Sequence, residues 1–291
     1  MNKFVITTDT TADVYDNYLQ ENNIEVIPMP YTLDGIEYGI EKIITIQEFY
    51  QKMKAGAKTG TSQISQFKAE ELFERLLSEG NDILHISFSS GMSGSYENLC
   101  TLRNTLKIKY PDRKIVISDT LSGGGGEGLL VYYANEMKKK GKSIEDIYQW
   151  IEDNKMQVHH YFIVEDLDRL CKGGRISKAQ AFLGNMLNIR PILELSRKGK
   201  ITPIFKIRGI KKAVSTMVEM TVSQIDKSKN EFILVGHGDD FEKAKAFGTT
   251  LGEKLNMPVK YNYVNTLVGS HAGVGSLVVY FIGTERKNIV I

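Results

Sequence analysis

The spacing of apolar residues changes along this chain in a way that separates strands from helices. Residues 3–8 read as a strand, 13–22 as a helix and 24–29 as a second strand, an alternation that predicts a parallel α/β start. Leu33-Asp34-Gly35-Ile36 reads as a hairpin turn. Ala69, Leu72, Phe73, Leu76 and Leu77 then recur at helical spacing, and residues 82–87 follow as a buried strand. A helix over 95–109, a strand over 114–118, a glycine-rich turn and a helix over 128–140 closed by Gly141 complete a doubly wound first lobe.

Past a helix over 143–154 the type of connection changes. Residues 158–164 begin a second set of strands, and 191–195 and 201–207 are joined through Arg197-Lys198-Gly199-Lys200, short enough for an antiparallel hairpin. Ile210, Ala213, Val214, Met217, Val218 and Ile225 form one apolar helical stripe. Phe241, Ala244, Gly248, Leu251 and Leu255 form another, after a strand over 232–235. The expectation is an α/β protein of two lobes, a mainly parallel α/β lobe over 1–155 and an α+β lobe over 156–291.

Composition supports that picture. At 291 residues the chain exceeds the size at which one hydrophobic core usually keeps growing, so two lobes with a cleft between them are expected. The apolar run at Phe4–Ile6 is too brief for the core of a signal peptide, and no stretch approaches the roughly 18 apolar residues of a membrane span. A soluble, cytoplasmic protein is expected. Cys100 and Cys171 lie far apart and the five histidines lack metal-site spacing, so neither a disulfide framework nor a metal site is expected.

Net charge is only +2, yet residues 169–212 hold twelve Lys or Arg against Glu194 alone. Such a segment suits an anionic partner, or is a solvated face with ion-pair partners elsewhere in the fold.

Candidate chemistry lies in the loops. Ser89-Ser90-Gly91-Met92-Ser93-Gly94-Ser95-Tyr96 joins a buried strand to a helix, where hydroxyls and free N–H groups either cap the helix or cradle an anion. A serine nucleophile at Ser93 departs from G-x-S-x-G at the last glycine, and no base can be assigned to it. Thr59-Gly60-Thr61-Ser62-Gln63-Ile64-Ser65 is a second hydroxyl cluster before a helix.

Gly123, Gly125 and Gly128 satisfy G-x-G-x-x-G between a strand and a helix, but the next strand starts only near Val158, so close packing explains them better than a dinucleotide. Asp9 and Asp119 at strand ends are a possible metal pair. His271 is expected in a small-residue loop, either structural or bonded to a ligand acid group, and Lys172-Gly173-Gly174-Arg175 is either a turn or a docking element.

In order, Thr8-Asp9-Thr10-Thr11-Ala12-Asp13, Thr61-Ser62-Gln63, the serine loop through Tyr96, Lys172-Gly173-Gly174-Arg175-Ile176 and Ser270-His271-Ala272-Gly273 resemble the DegV family across nearly the whole chain. Departures are modest: Thr10 stands for the usual serine, Ser95 for threonine, and a proline common in the last motif is missing. The resemblance implies a two-lobe fold that binds one long-chain fatty acid and is no enzyme itself. It implies that Thr61 and Ser93 hydrogen-bond the carboxylate with His271 close by, and that Ser62, Gly94 and Ser95 complete a head-group loop.

By the same resemblance, the protein presents the acid to a separate fatty acid kinase subunit that makes the acyl phosphate for phospholipid synthesis. Arg169, Lys172 and Arg175 would dock that kinase or an anionic membrane from one exposed turn, with no nucleic acid involved and no cofactor beyond the fatty acid. Burying about 14 methylenes at roughly 0.8 kcal/mol each supplies on the order of 11 kcal/mol, against about 1.5–3 for each hydrogen bond to the carboxylate. The tail would therefore hold the ligand and the head group orient it. Neutral hydroxyls would leave the carboxylate more nucleophilic than an arginine clamp would. A serine hydrolase and a dinucleotide-dependent enzyme are the rival readings.

Overall fold

Asp-Gly at a tight turn, glycines before a helix and two long apolar stripes all reappear as structure. The computed structural model describes residues 3–182 and 188–287; residues 183–187, inside the basic stretch, and 1–2 and 288–291, at the ends of the two expected lobes, lie outside the described residues. The first half runs β1 (Phe4–Asp9), α1 (Tyr18–Glu21), β2 (Glu25–Ile27), β3 (Tyr31–Leu33), β4 (Ile36–Tyr38), α2 (Ile46–Lys54), β5 (Thr59–Thr61), α3 (Gln66–Ser78), β6 (Asp82–Ser87), α4 (Ser95–Lys109), β7 (Ile115–Asp119), α5 (Gly125–Lys139) and α6 (Ile144–Asn154). Its main sheet is parallel, in the order β2-β1-β6-β7.

The second half runs β8 (Val158–Ile163), α7 (Leu167–Lys172), α8 (Lys178–Phe182), β9 (Ile189–Leu195), β10 (Ile201–Arg208), α9 (Ile210–Gln224), β11 (Ile233–His237), α10 (Phe241–Leu255), β12 (Val259–Tyr263), α11 (Thr266–Ala272) and β13 (Leu277–Ile282). These strands form one sheet in the order β10-β9-β8-β13-β11-β12, antiparallel except for the β11–β12 crossover through α10. The architecture is α/β with a parallel sheet followed by a second, mostly antiparallel sheet.

Three expectations are corrected. The helix expected over 13–22 shrinks to the single turn α1, because Asp16 adopts φ +49 and buried Asp13 is bonded to Asn265 N instead of entering a helix. The expected hairpin forms as β3–β4, but its extension into a small sheet, β4-β3-β5, and the helix α2 were not anticipated. In that sheet Asp34 and Gly35 both take positive φ, +50 and +81, as the twist of a two-residue hairpin demands. The third correction is that His271 sits in the last turn of α11, where a loop was expected.

Helix α5 joins the halves. Every residue from Gly125 to Tyr132 is buried, with Leu129, Leu130 and Val131 no more than 1 % exposed, so the first two turns of the helix are covered on every side. Its core reaches Ile6, Leu84 and Ile86 of the parallel sheet and Leu234, Val278 and Tyr280 of the second sheet. The glycines allow this: a Cβ on Gly125 would strike the Tyr280 ring, one on Gly126 the His160 imidazole, and one on Gly128 the carbonyl of Asp13. Helix α5 thus starts at Gly125, three residues earlier than expected, with Gly124 entering at φ +57. Two glycines of the pattern G-x-G-x-x-G, Gly125 and Gly128, are thus filled by packing, while Gly123 lines the cavity described below.

Three carboxyls are buried at this junction. Asp9 accepts from Thr11 N at 2.9 Å and Phe88 N at 3.3 Å. The Thr11 hydroxyl lies 2.5 Å from Asp9 Oδ1 and 2.7 Å from Glu127 Oε2. One hydroxyl proton cannot serve both acids, so one of them is protonated. Burial, then the charge of Asp9, raises Glu127 well above the usual carboxylate range, which assigns it the proton. Asp119 bonds Ser90 instead, from a strand separated from β1 by β6, so the suggested Asp9–Asp119 metal pair does not form. No cluster of three metal-binding side chains occurs among the described residues.

Burial also raises Asp13, to about 7 against an ordinary 3.8. A carboxyl raised on folding favours the folded state fully below pH 3.8, and that contribution is lost as pH rises through about 7. Asp13→Asn should therefore gain little at pH 4 and on the order of 4 kcal/mol over the parent at pH 8. Urea unfolding at both pH values checks this, and an equal difference at the two would contradict it.

Candidate functional site

Between the sheets lies a mostly apolar cavity, open at one mouth and enclosing about 840 Å³ when the space out to that mouth is counted. Phe88, Met92, Leu170, Ile201, Leu267 and Val278 are among the apolar side chains that line it. An outer polar hollow adjoins it, and Thr61, Ser62, Met92, Ser93 and Arg175 line both spaces. These five residues mark where the apolar interior meets the surface.

Each expected head-group residue has a distinct place there. Thr61 ends β5, and its hydroxyl lies 2.8 Å from His271 Nε2 on α11. Thr59, on the same strand, donates to Ser270 O at 2.8 Å and fixes the strand to that helix. Gly173 lets the imidazole pack: a Cβ there would strike Nδ1. Burial, followed by the Arg175 charge, lowers His271 to about 4, so it is neutral at pH 7. For Thr61 to give its proton to a ligand, His271 must donate from Nε2 to the threonine oxygen.

Ser93 is oriented in the same way from behind. It accepts from Ser95 N at 3.2 Å and lies 2.9 Å from Ser95 Oγ. Ser95 is fully buried, and its hydroxyl oxygen accepts from Ile64 N at 3.0 Å. With Ser95 donating to Ser93, the Ser93 proton is free to point into the cavity. Ser95 therefore positions and does not line the space. Ser62 lines both spaces and Gly94 only the outer hollow, where a Cβ would strike Gln63. Asn98 donates to Gln63 at 2.6 Å, so the two hydroxyl loops are stitched together.

The basic motif is corrected most. Arg169, Lys172 and Arg175 do not share one exposed turn. Only Lys172 is exposed; Arg169 lies against Gly273, and Arg175 is half-buried and lines the cavity. Gly174, at φ +74, turns the chain inward after α7, and the Arg175 guanidinium donates to Gly173 O. The mouth of the cavity thus holds a cation that was expected on a docking surface. Its cavity side was hidden because a turn after a short helix has no periodicity to read.

The rest of the basic stretch is largely solvated. Arg190 pairs with Glu165 and Arg197 with Glu285, while Lys198 and Lys200 are exposed at the β9–β10 turn. That turn abuts the serine loop, where Ser89 donates to Gly199 O at 2.9 Å. The rival enzymatic readings lack their geometry: His271 bonds Thr61 and not Ser93, and Gly125 and Gly128 are packed against Tyr280 and Asp13. No helix among the described residues is long and apolar enough to cross a membrane.

The sequence and the fold both have counterparts among known proteins. A sequence model of the DegV family, described as uncharacterised proteins, matches residues 3–284. A DegV domain-containing protein of Clostridium perfringens is 38% identical, covering 99% of this chain and 100% of the relative. The chain belongs to the DegV family.

The solved structure of DegV from Bacillus subtilis, described as a fatty acid binding protein, superposes with a TM-score of 0.83 at 28% identity, covering 98% of this chain and 100% of that one. A stearic acid-binding protein of Eubacterium ventriosum shares the fold with a TM-score of 0.86 at 22% identity, covering 96% of this chain and 98% of that one.

Proposed function

We propose that this chain binds one long-chain fatty acid in the cavity and presents its carboxylate at the mouth to a separate fatty acid kinase subunit. The observation that carries the reading is the division of the site into an apolar interior and a mouth where Thr61, Ser93 and Arg175 meet. The fatty-acid-binding description of the Bacillus relative supports the ligand class. Two hydroxyls supply neutral donors to the carboxylate, and half-buried Arg175, whose burial lowers its own pKa, supplies charge beside them. The protein itself is a carrier: binding and orientation belong to this chain, and ATP chemistry to its partner.

A carrier of this kind works in the cytoplasm and visits an anionic membrane. Acid already in a bilayer has its chain out of water, so extraction is nearly balanced and exchange is easy. The exposed lysines Lys172, Lys198 and Lys200 are the contacts proposed for a membrane or kinase surface. In this reading the division near residue 155 separates a lobe that supplies the hydroxyl loops from one that supplies His271 and Arg175.

Two experiments follow. Thr61→Ala with Ser93→Ala should keep most of the bound fatty acid, because the tail supplies most of the affinity, while acyl phosphate formation with a fatty acid kinase falls at least tenfold. Undiminished acyl phosphate formation would remove both hydroxyls from the head-group role. Reversing Lys172, Lys198 and Lys200 to Glu removes about 1 kcal/mol of attraction per residue, so transfer from anionic vesicles at low salt should slow at least tenfold, with transfer from neutral vesicles unchanged. Equal transfer from both vesicle types by parent and variant would make these lysines a solvated face.

A further inference from the structure

Two walls of the cavity come from different halves of the chain and meet at a seam. Leu195 at the end of β9 and Ile201 at the start of β10 line the cavity from the second half, and Phe88, Met92 and Ser93 line it from the first. The turn between those two strands, residues 196–200, is where the hairpin reaches the serine loop. Gly199 is buried there between exposed Lys198 and Lys200, at a φ of +65 that favours glycine. A Cβ on Gly199 would strike Ser89 Oγ, and one on Gly91 would strike Lys198 O, so the two segments approach as closely as glycine permits.

Ser89 is the residue that ties them. It is fully buried and donates its hydroxyl to Gly199 O at 2.9 Å. Among the described residues this is the one hydrogen bond between residues 189–208 and the first half of the chain. The same serine organises the loop behind it. Its Oγ accepts from Gly91 N at 3.1 Å, and its carbonyl accepts from Met92 N at 3.1 Å and Ser93 N at 3.2 Å. The base of the hairpin is fixed separately, by the buried Arg286 guanidinium, which donates to Leu195 O at 3.3 Å and Leu121 O at 3.1 Å. Strand β10 is the edge of its sheet and pairs with β9 alone, so no further strand holds its outer side. One neutral hydrogen bond is a small barrier to parting the tip, because Gly199 O then finds a partner in water.

We propose that this seam is the passage through which the acyl chain enters and leaves the cavity, and that Ser89 is its latch. The proposal rests on the fatty-acid reading above. When the turn swings out from the Arg286 anchor, Leu195 and Ile201 part from Met92 and Ser93, and the cavity opens on an apolar side as well as at its polar mouth. The chain then moves without drawing its methylenes past Arg175 and the hydroxyls. Exposed Lys198 and Lys200 place the gap beside the lysines proposed to meet an anionic membrane.

A gate of this kind changes rates and not equilibrium, because the seam is closed in the empty and the loaded protein alike. The test is stopped-flow exchange of a fluorescent long-chain acid, read as association and dissociation, together with its equilibrium affinity. Ser89→Ala should raise both rates by the same factor, about fivefold, which is roughly 1 kcal/mol at 1.4 kcal/mol per tenfold, and leave Kd unchanged. Gly91→Ala, whose Cβ would wedge against Lys198 O from the other side of the seam, should raise both rates likewise, and it decides the matter if Ser89→Ala does not fold. Ser90→Ala, whose hydroxyl bonds Asp119 instead, should exchange as the parent does. The proposal is overturned if Ser89→Ala and Gly91→Ala both exchange at the parent's rates, or if dissociation alone rises and Kd weakens to match. Failure of the parent to bind any long-chain acid would overturn the fatty-acid reading itself, a distinct result.

Discussion

Everything in this molecule depends on how closely α5 approaches its neighbours. Side chains at Gly125, Gly126 and Gly128 would collide with Tyr280, His160 and the Asp13 backbone, so the helix can lie against both sheets only without them. That contact fixes β8 and β13 behind the cavity and seats Asp9, Asp13 and Glu127 around the first turn of the helix. The carboxyls fit there because the structure makes their neutral forms cheap: Glu127 shares Thr8 and Thr11 as partners, and burial raises all three. The junction is thus held by backbone proximity and by hydrogen bonds around these carboxyls, with no ion pair to a basic side chain among the described residues.

The mouth follows the same logic of neutral donors held from behind. His271, kept uncharged by burial, orients Thr61, and Ser95, tied to Ile64, orients Ser93. Each exposed hydroxyl has its acceptor position occupied, leaving a proton to give. Among the described residues Arg175 is the one cation lining this mouth, so a carboxylate held here would meet both neutral and charged donors. Hydroxyls acting alone were expected; the Arg175 guanidinium, engaged with Gly173 O, lines the mouth beside them.

Much of this was legible in the chain, for physical reasons that differ by element. The limits of β6 and α4 were readable because a short strand carrying Ile83, Leu84 and Ile86 runs straight into a hydroxyl-rich loop before the helix. The hydroxyl loops stood out because small polar residues before a helix have few other uses. The α1 region misled because residues 13–22 have helical composition, and only the pairing of Asp13 with Asn265, 252 residues away, draws the chain off. His271 looked like a loop residue among glycines, yet Asn265 caps α11 and keeps it helical to Ala272. The cavity wall could not be read at all: β13 is buried on both faces, so its apolar run hides which residues face the ligand.

The central claim is that a fatty acid fills the space between the sheets. Native mass spectrometry of the purified protein, with the released ligand identified after denaturation, tests it most directly. The account predicts one long-chain acid per chain, displaced by added acid in equal stoichiometry and present in the Gly126-packed folded state only. A protein that carries a nucleotide, or that remains empty after incubation with a range of long-chain acids, would contradict it.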